Sequence, residues 1–323
     1  VDIVANHLGN ITDGGYTLSD GTPNLSEQVE EHLQNAEYFH LDTQGIDYNN
    51  YTDRYNITHR HMNMPDLNTG HSYIQSQVLS LLTECIDCGV DGFRFDAAKH
   101  IEVPGDPEGT RSDFWPTVIN GAKSYAAEKG VTLFIYGEAL DSLGTALENY
   151  TQFMALTDNG TGNAARQNTV SGNAGGLANY VYYKGTSARD SVLWAESHDN
   201  YLNDHTNEIS NENIVKTWAI VGARADSTSL FFARPSQVMG TANADDTTWK
   251  STEVKEILSP AFCANAHEAR KSIAHNTNVF LILFIKNCFI VPPATSNTNR
   301  LYHTLLKKSL INVHKTIKKM NFS

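Results

Sequence analysis

Residues Gly92-Phe93-Arg94-Phe95-Asp96-Ala97-Ala98-Lys99-His100 set the reading of this 323-residue chain. Gly89-Val90-Asp91 closes a helical run just before them, and the apolar alternation through Phe95 predicts a short strand. Arg94 and Asp96 are two residues apart, so in extended backbone they point to the same face. An arginine beside a carboxylate keeps it ionised and holds its orientation. An ionised, oriented carboxylate at a strand end can act as a nucleophile. It can equally be half of an ion pair that only ties a strand to a loop.

Three other stretches have the same form. Val131-Thr132-Leu133-Phe134-Ile135-Tyr136 is β-rich and apolar and ends in Gly137-Glu138. Ser191-Val192-Leu193-Trp194-Ala195-Glu196 runs into Ser197-His198-Asp199-Asn200, and Val1-Asp2-Ile3-Val4-Ala5 into Asn6-His7. In a parallel α/β barrel the C-terminal ends of all strands converge on one face, and that face carries the chemistry. In content and in order, the four stretches resemble the four signature regions of the α-amylase family of glycoside hydrolases. Met64-Pro65-Asp66-Leu67-Asn68 resembles a fifth motif of that family.

Read in order, the chain alternates strand and helix, which predicts a parallel sheet. Apolar residues at helical spacing predict a helix over roughly 71–88; further helices are expected over 112–129, where Asp113 suits the first turn, near 211–221 and, a short one, near 163–167. Further strands are expected at 152–157 and 227–233, and a helix opens near 250. Residues 8–68 are polar and turn-rich, too long for an ordinary βα connection. The resemblance implies a (β/α)8 TIM barrel with a small inserted domain over these residues, after the third barrel strand. Counted on that map, strands three to eight are present, and strands one and two would lie upstream of Val1.

Composition shifts near residue 259. Residues 1–258 hold 15 Lys+Arg and 35 Asp+Glu, whereas residues 259–323 hold 9 and 1, and all 22 glycines precede the break. The expected organisation is therefore a partial catalytic barrel over 1–258 and an atypical tail over 259–323, foreign to the family fold. The apolar run from Val279 to Ile285 is far shorter than the roughly 20 residues a membrane span needs. A net charge of −12 disfavours nucleic acid as a partner. Cys85 and Cys88 form a C-x-x-C inside a helical pattern, read as buried thiols rather than a redox or zinc motif.

The resemblance also implies site residues. Asp96 matches the nucleophile, Glu138 the general acid/base and Asp199 the third carboxylate, which binds sugar hydroxyls. His7 and His198 match histidines that hydrogen-bond the sugar in the cleaved subsite, and Arg94 would orient Asp96. Lys99 and His100 match a pair bordering the aglycone subsites. Asn6, Asp66 and the backbone carbonyl of His100 match ligands of a Ca2+ ion. Glu138 stands among Phe134, Ile135 and Tyr136, a setting that raises a carboxyl pKa and keeps it protonated near neutrality.

The implied protein is a secreted, monomeric, calcium-dependent retaining enzyme that cleaves internal α-1,4 bonds of starch-like glucans. Alternatives within the family are an α-glucosidase or a transglycosylase. Outside catalysis they are a carbohydrate-binding relative or an inactive fragment. With two of eight strands unaccounted for, the 323-residue chain by itself is expected to fold poorly and hydrolyse starch weakly or not at all.

Overall fold

A computed structural model describes residues 1–9, 30–140, 147–173, 186–224, 226–232 and 234. All belong to a compact unit spanning Val1–Thr277. The expected helix near 250, the composition break and the tail lie outside the described residues.

Among the described residues, six short strands form one parallel sheet: β1 (Asp2–Ile3), β2 (Gly92–Phe95), β3 (Phe134–Gly137), β4 (Ala155–Thr157), β5 (Ser191–Trp194) and β6 (Thr228–Leu230). They pair in chain order, each with the next. The register places Asp2 opposite Arg94, Arg94 opposite Tyr136 and Tyr136 opposite Ala155. Among the described residues, seven α-helices connect or flank the strands: α1 (Arg54–Thr58), α2 (Ser72–Asp87), α3 (Phe114–Glu128), α4 (Glu148–Thr151), α5 (Asn159–Val170), α6 (His198–Asn203) and α7 (Asn211–Gly222).

Alternation along β2 divides the structure into a packed side and a chemical side. Phe93 and Phe95 are buried against Leu82 and Ile86 of α2 and Phe114, Trp115 and Val118 of α3. Phe95 meets Trp115 edge-on with ring centroids 5.1 Å apart. Burying a side chain of this size stabilises the fold by about 1.5–3 kcal/mol. Arg94 points to the opposite face. Helices α2 and α3 approach closely because Gly121 has no side chain: a Cβ there would sit 2.8 Å from Leu79 Cδ2.

Several boundaries differ from the sequence reading. Strand β4 begins at Ala155, because α4 and the turn after it take up residues 148–154. Helix α5 is 12 residues long, Asn159–Val170, where the sequence reading expects only a short helix near 163–167. Asp158 caps it, accepting from the Thr161 backbone N–H at 2.9 Å. Cys85 is half-buried and Cys88, expected to be buried, is exposed at the C-cap of α2. Among the described residues no helix is long and apolar enough to cross a membrane.

Residues 30–71 contribute no strand to the sheet. They hold two short 3-10 turns, α1 and single bridges that tie Phe39 to Leu67 and His7 to Asp66. Phe39, Leu67 and Ile74 make a small apolar cluster of their own. Arg54 anchors α1 toward the sheet. Its guanidinium bonds Asp106 at 2.7 Å, Tyr150 Oη at 2.7 Å and the Lys99 carbonyl at 3.2 Å.

Candidate active site

Asp96 directly follows β2 and Glu138 directly follows β3, so two carboxylates stand side by side at the C-terminal ends of adjacent strands. Arg94 joins them. Its Nη1 donates to Asp96 Oδ1 at 2.8 Å and to Asp2 at 2.7 Å, and Nη2 lies 3.2 Å from Glu138 Oε2. One planar guanidinium thus fixes both groups, a geometry that a lysine cannot supply. The chain must turn sharply after Asp96, and Ala97 adopts left-handed backbone with φ 49° and ψ 30°. That turn aims the Ala97 N–H at Glu138 Oε2, 3.1 Å away. Gly137 precedes Glu138 because a Cβ there would lie 2.7 Å from Met154 Sδ and 2.8 Å from Ala98 Cβ.

Asp199 arrives from the other side, in the first turn of α6 after β5. An open cleft of about 430 Å³ is lined by Asp96, Glu138, Asp199 and His198, with Asn159, Asn203 and Asp204 at its sides. His198 Nε2 lies 3.4 Å from Asp199 Oδ2. The segment leading from β5 into α6 is tied down by a buried pair: Arg234 donates to Glu196 at 2.6 Å and to the Ile209 carbonyl at 2.8 Å.

Burial is the largest influence on Glu138 and pushes its pKa up. Arg94 and the Ala97 N–H pull it down, the nearby Asp96 and Asp199 charges push it up, and the net direction is upward. Burial also works against the Arg94 cation, but Asp2, Glu138 and Asp96 outweigh it and hold it more firmly protonated. His7 is shifted down by burial, with Asp96 opposing, so its ring is held neutral beside that carboxylate. Its Nδ1 is buried and makes no hydrogen bond.

The remaining residues singled out in the sequence divide between cleft and scaffold. Lys99 Nζ donates to the Leu140 carbonyl at 3.0 Å, at the cleft margin. The His100 ring is 4% exposed and pairs with the Ile57 carbonyl at 2.9 Å. Its pKa is pushed down to about 3, chiefly by burial, so it is a neutral scaffold ring. Asn6 and Asp66 are each 2% exposed and meet at 3.2 Å. Burial drives Asp66 up to about 7, against the opposing hydrogen bond from His40. A buried carboxylate and amide side by side are oxygen donors suited to a hard cation.

Sequence reasoning missed His40 and Arg234. His40 stands in a polar loop with no local pattern, and Arg234 lies 38 residues from its partner Glu196.

Comparison with known proteins points in one direction. The family model described as "Alpha amylase, catalytic domain" matches residues 23–166. A curated α-amylase of Clostridium acetobutylicum is 30% identical over 261 residues, covering 80% of this chain and 32% of that protein. An α-amylase of Butyrivibrio fibrisolvens is 34% identical over 211 residues, covering 58% of this chain and 22% of the other. The chain thus spans a third or less of the length of these relatives. Among solved structures, wild-type α-amylase I from Eisenia fetida aligns with a TM-score of 0.53 at 20% identity, covering 76% of this chain and 52% of that one. The acarbose complex of α-amylase from Geobacillus thermoleovorans gives 0.51 at 15% identity, covering 82% and 57%. The structural likeness is one of fold: the parallel six-stranded sheet is part of an α-amylase-type barrel. Over residues 23–166 the chain is similar to the catalytic domain of the α-amylase family of glycoside hydrolases.

Proposed function

We propose that the whole protein carrying this sequence cleaves internal α-1,4 bonds of starch-like glucans with retention of configuration. The observation that carries the reading is the Arg94 clamp, which holds Asp96 and Glu138 at adjacent strand ends above a cleft that also takes Asp199. Retention uses one carboxylate as nucleophile and one as acid/base, about 5–5.5 Å apart. In this reading Asp96 attacks the anomeric carbon while the proton on Glu138 passes to the leaving glycosidic oxygen. Glu138 then takes a proton from water, the water oxygen replaces Asp96 on the sugar, and both groups are restored. The upward shift of Glu138 suits the acid role. Asp199, His198 and the neutral His7 would bind sugar hydroxyls, and Lys99 would border the leaving side.

Calcium belongs to the same proposal. Asn6, Asp66 and the His100 carbonyl would hold it, and the fit rests on the buried Asn6–Asp66 contact. The ion would supply charge for Asp66 and tie residues 30–68 to the end of β1. On this reading residues 8–68 are an inserted domain, β1 to β6 are the third to eighth barrel strands, and 259–323 stands outside the barrel. A secreted monomer is the matching setting.

The test is hydrolysis of soluble starch by the whole protein, with Asp96→Asn alongside. The expected result is mixed oligosaccharide products, loss of activity of at least about 10³-fold in Asp96→Asn and weakened activity after chelation. Free glucose as sole product would favour an α-glucosidase. A folded protein without hydrolysis would favour a binding role, and undiminished Asp96→Asn would overturn the assignment.

A further inference from the structure

His40, His59 and Glu102 bring one potential ligand atom each to within 4.8 Å of one another, and none of the three lines the cleft that holds Asp96, Glu138 and Asp199. They come from distant positions: two from the polar segment before α2 and one from the connection after β2. We propose that these residues form a second metal site, for a borderline divalent cation of the Zn2+ type.

The donor set is two imidazoles and one carboxylate, which suits zinc and not the all-oxygen preference of calcium. His40 Nε2 and Glu102 Oε1 lie 3.3 Å apart. That is about the edge of a tetrahedron whose metal–ligand bonds are roughly 2.0–2.1 Å long. Each ligand is also oriented by an outer partner, as metal ligands are. His40 Nδ1 pairs with Asp66 Oδ2 at 2.8 Å. Glu102 accepts from Thr69 Oγ1 and, at 3.4 Å, from Ser112 Oγ. His59 Nδ1 meets Thr58 Oγ1 at 2.8 Å, and that hydroxyl gives its own proton to the Arg54 carbonyl at 2.7 Å. The His59 Nδ1 must therefore carry the hydrogen, which leaves the lone pair on Nε2.

Charge argues the same way. Asp66 and Glu102 are each 2% exposed, and a single histidine lies between them. With Asp66 assigned to the proposed calcium, the buried charge left for this site to neutralise is that of Glu102, 3.3 Å from His40. Access runs past His59, which is half-buried beneath the exposed ring of Tyr55 at 5.0 Å. The His40 and His59 rings are stacked, with centroids 4.1 Å apart, so binding requires them to tilt toward a common point. The site would fasten residues 40–59 to the connection after β2, next to the proposed calcium ligand Asp66.

The alternative occupant of the gap between His40 and Glu102 is a proton, and titration distinguishes the two. Purified protein stripped with chelator and returned to fixed calcium is titrated with Zn2+ by calorimetry and with Co2+ by visible absorption. One saturable equivalent is expected, with the intense d–d bands of four-coordinate cobalt and a raised Tm. His59→Phe keeps the ring stack but removes a ligand. It should weaken binding by about tenfold or more and abolish the Tm increase. Glu102→Gln gives the same readout should His59→Phe fail to fold, as judged by circular dichroism. Absence of a saturable equivalent, or unchanged affinity in the folded variants, would overturn the site. None of these readouts depends on starch hydrolysis.

Discussion

Arg94 is the residue on which the cleft depends. It is opposed across the sheet by Asp2 and bonded to Asp2, Asp96 and Glu138 at once. Removing its charge takes away the strongest influence holding the Glu138 pKa down, while burial and the Asp96 and Asp199 charges continue to push it up. A general acid must be protonated to act, so the alkaline limb of the pH–kcat profile follows its pKa. Arg94→Met should therefore move that limb to higher pH. It should also lower kcat by about 100-fold, because the two carboxylates lose a common anchor. Profiles measured on parent and variant decide this; an unmoved limb would mean that Glu138 is not the group being titrated.

Elements carry the next level of cause. Helix α5 lies against β5 so closely that a Cβ on Gly162 would run into the Trp194 carbonyl. Backbone cannot step aside as a flexible side chain can, so Gly162→Ala should destabilise the fold by about 1–3 kcal/mol, although alanine is the better helix former. Denaturant melts would show it, and a stabilised variant would refute the packing argument. The same position explains which parts of the fold were legible. Helices α2, α3 and α7 carry apolar residues at helical spacing, and their ends fall within two residues of expectation. Helix α5 has two glycines and little apolar signal; it forms because Asp158 caps it and Gly162 fits it to β5, contacts that no local pattern reveals. Asp96 and Glu138, the proposed catalytic pair, stand out in the sequence because each directly follows a short apolar strand. His40 and Arg234 were not, since their partners lie far along the chain and only the fold brings them together.

At the scale of the whole molecule, β1 and β6 are the outer strands of the described sheet, and they border the same open cavity of about 430 Å³. Val1 and Asp2 line it from one edge and Leu230, Phe231 and Phe232 from the other, with Trp194 on its floor. Parallel sheets are stable when both faces and both edges are covered. Among the described residues, β1 and β6 each pair with a single strand, and apolar side chains lie between them. A chain of these 323 residues alone should therefore bind the dye ANS and self-associate in a concentration-dependent way. Its starch hydrolysis should be weak, because among the described residues no further strand walls the cavity between β1 and β6. Size-exclusion chromatography with light scattering, dye fluorescence and a starch assay on the same preparation test this together. A monomeric chain that excludes the dye and hydrolyses starch robustly would mean that six strands suffice to build the cleft. The two edges would then have to close on each other rather than on further strands.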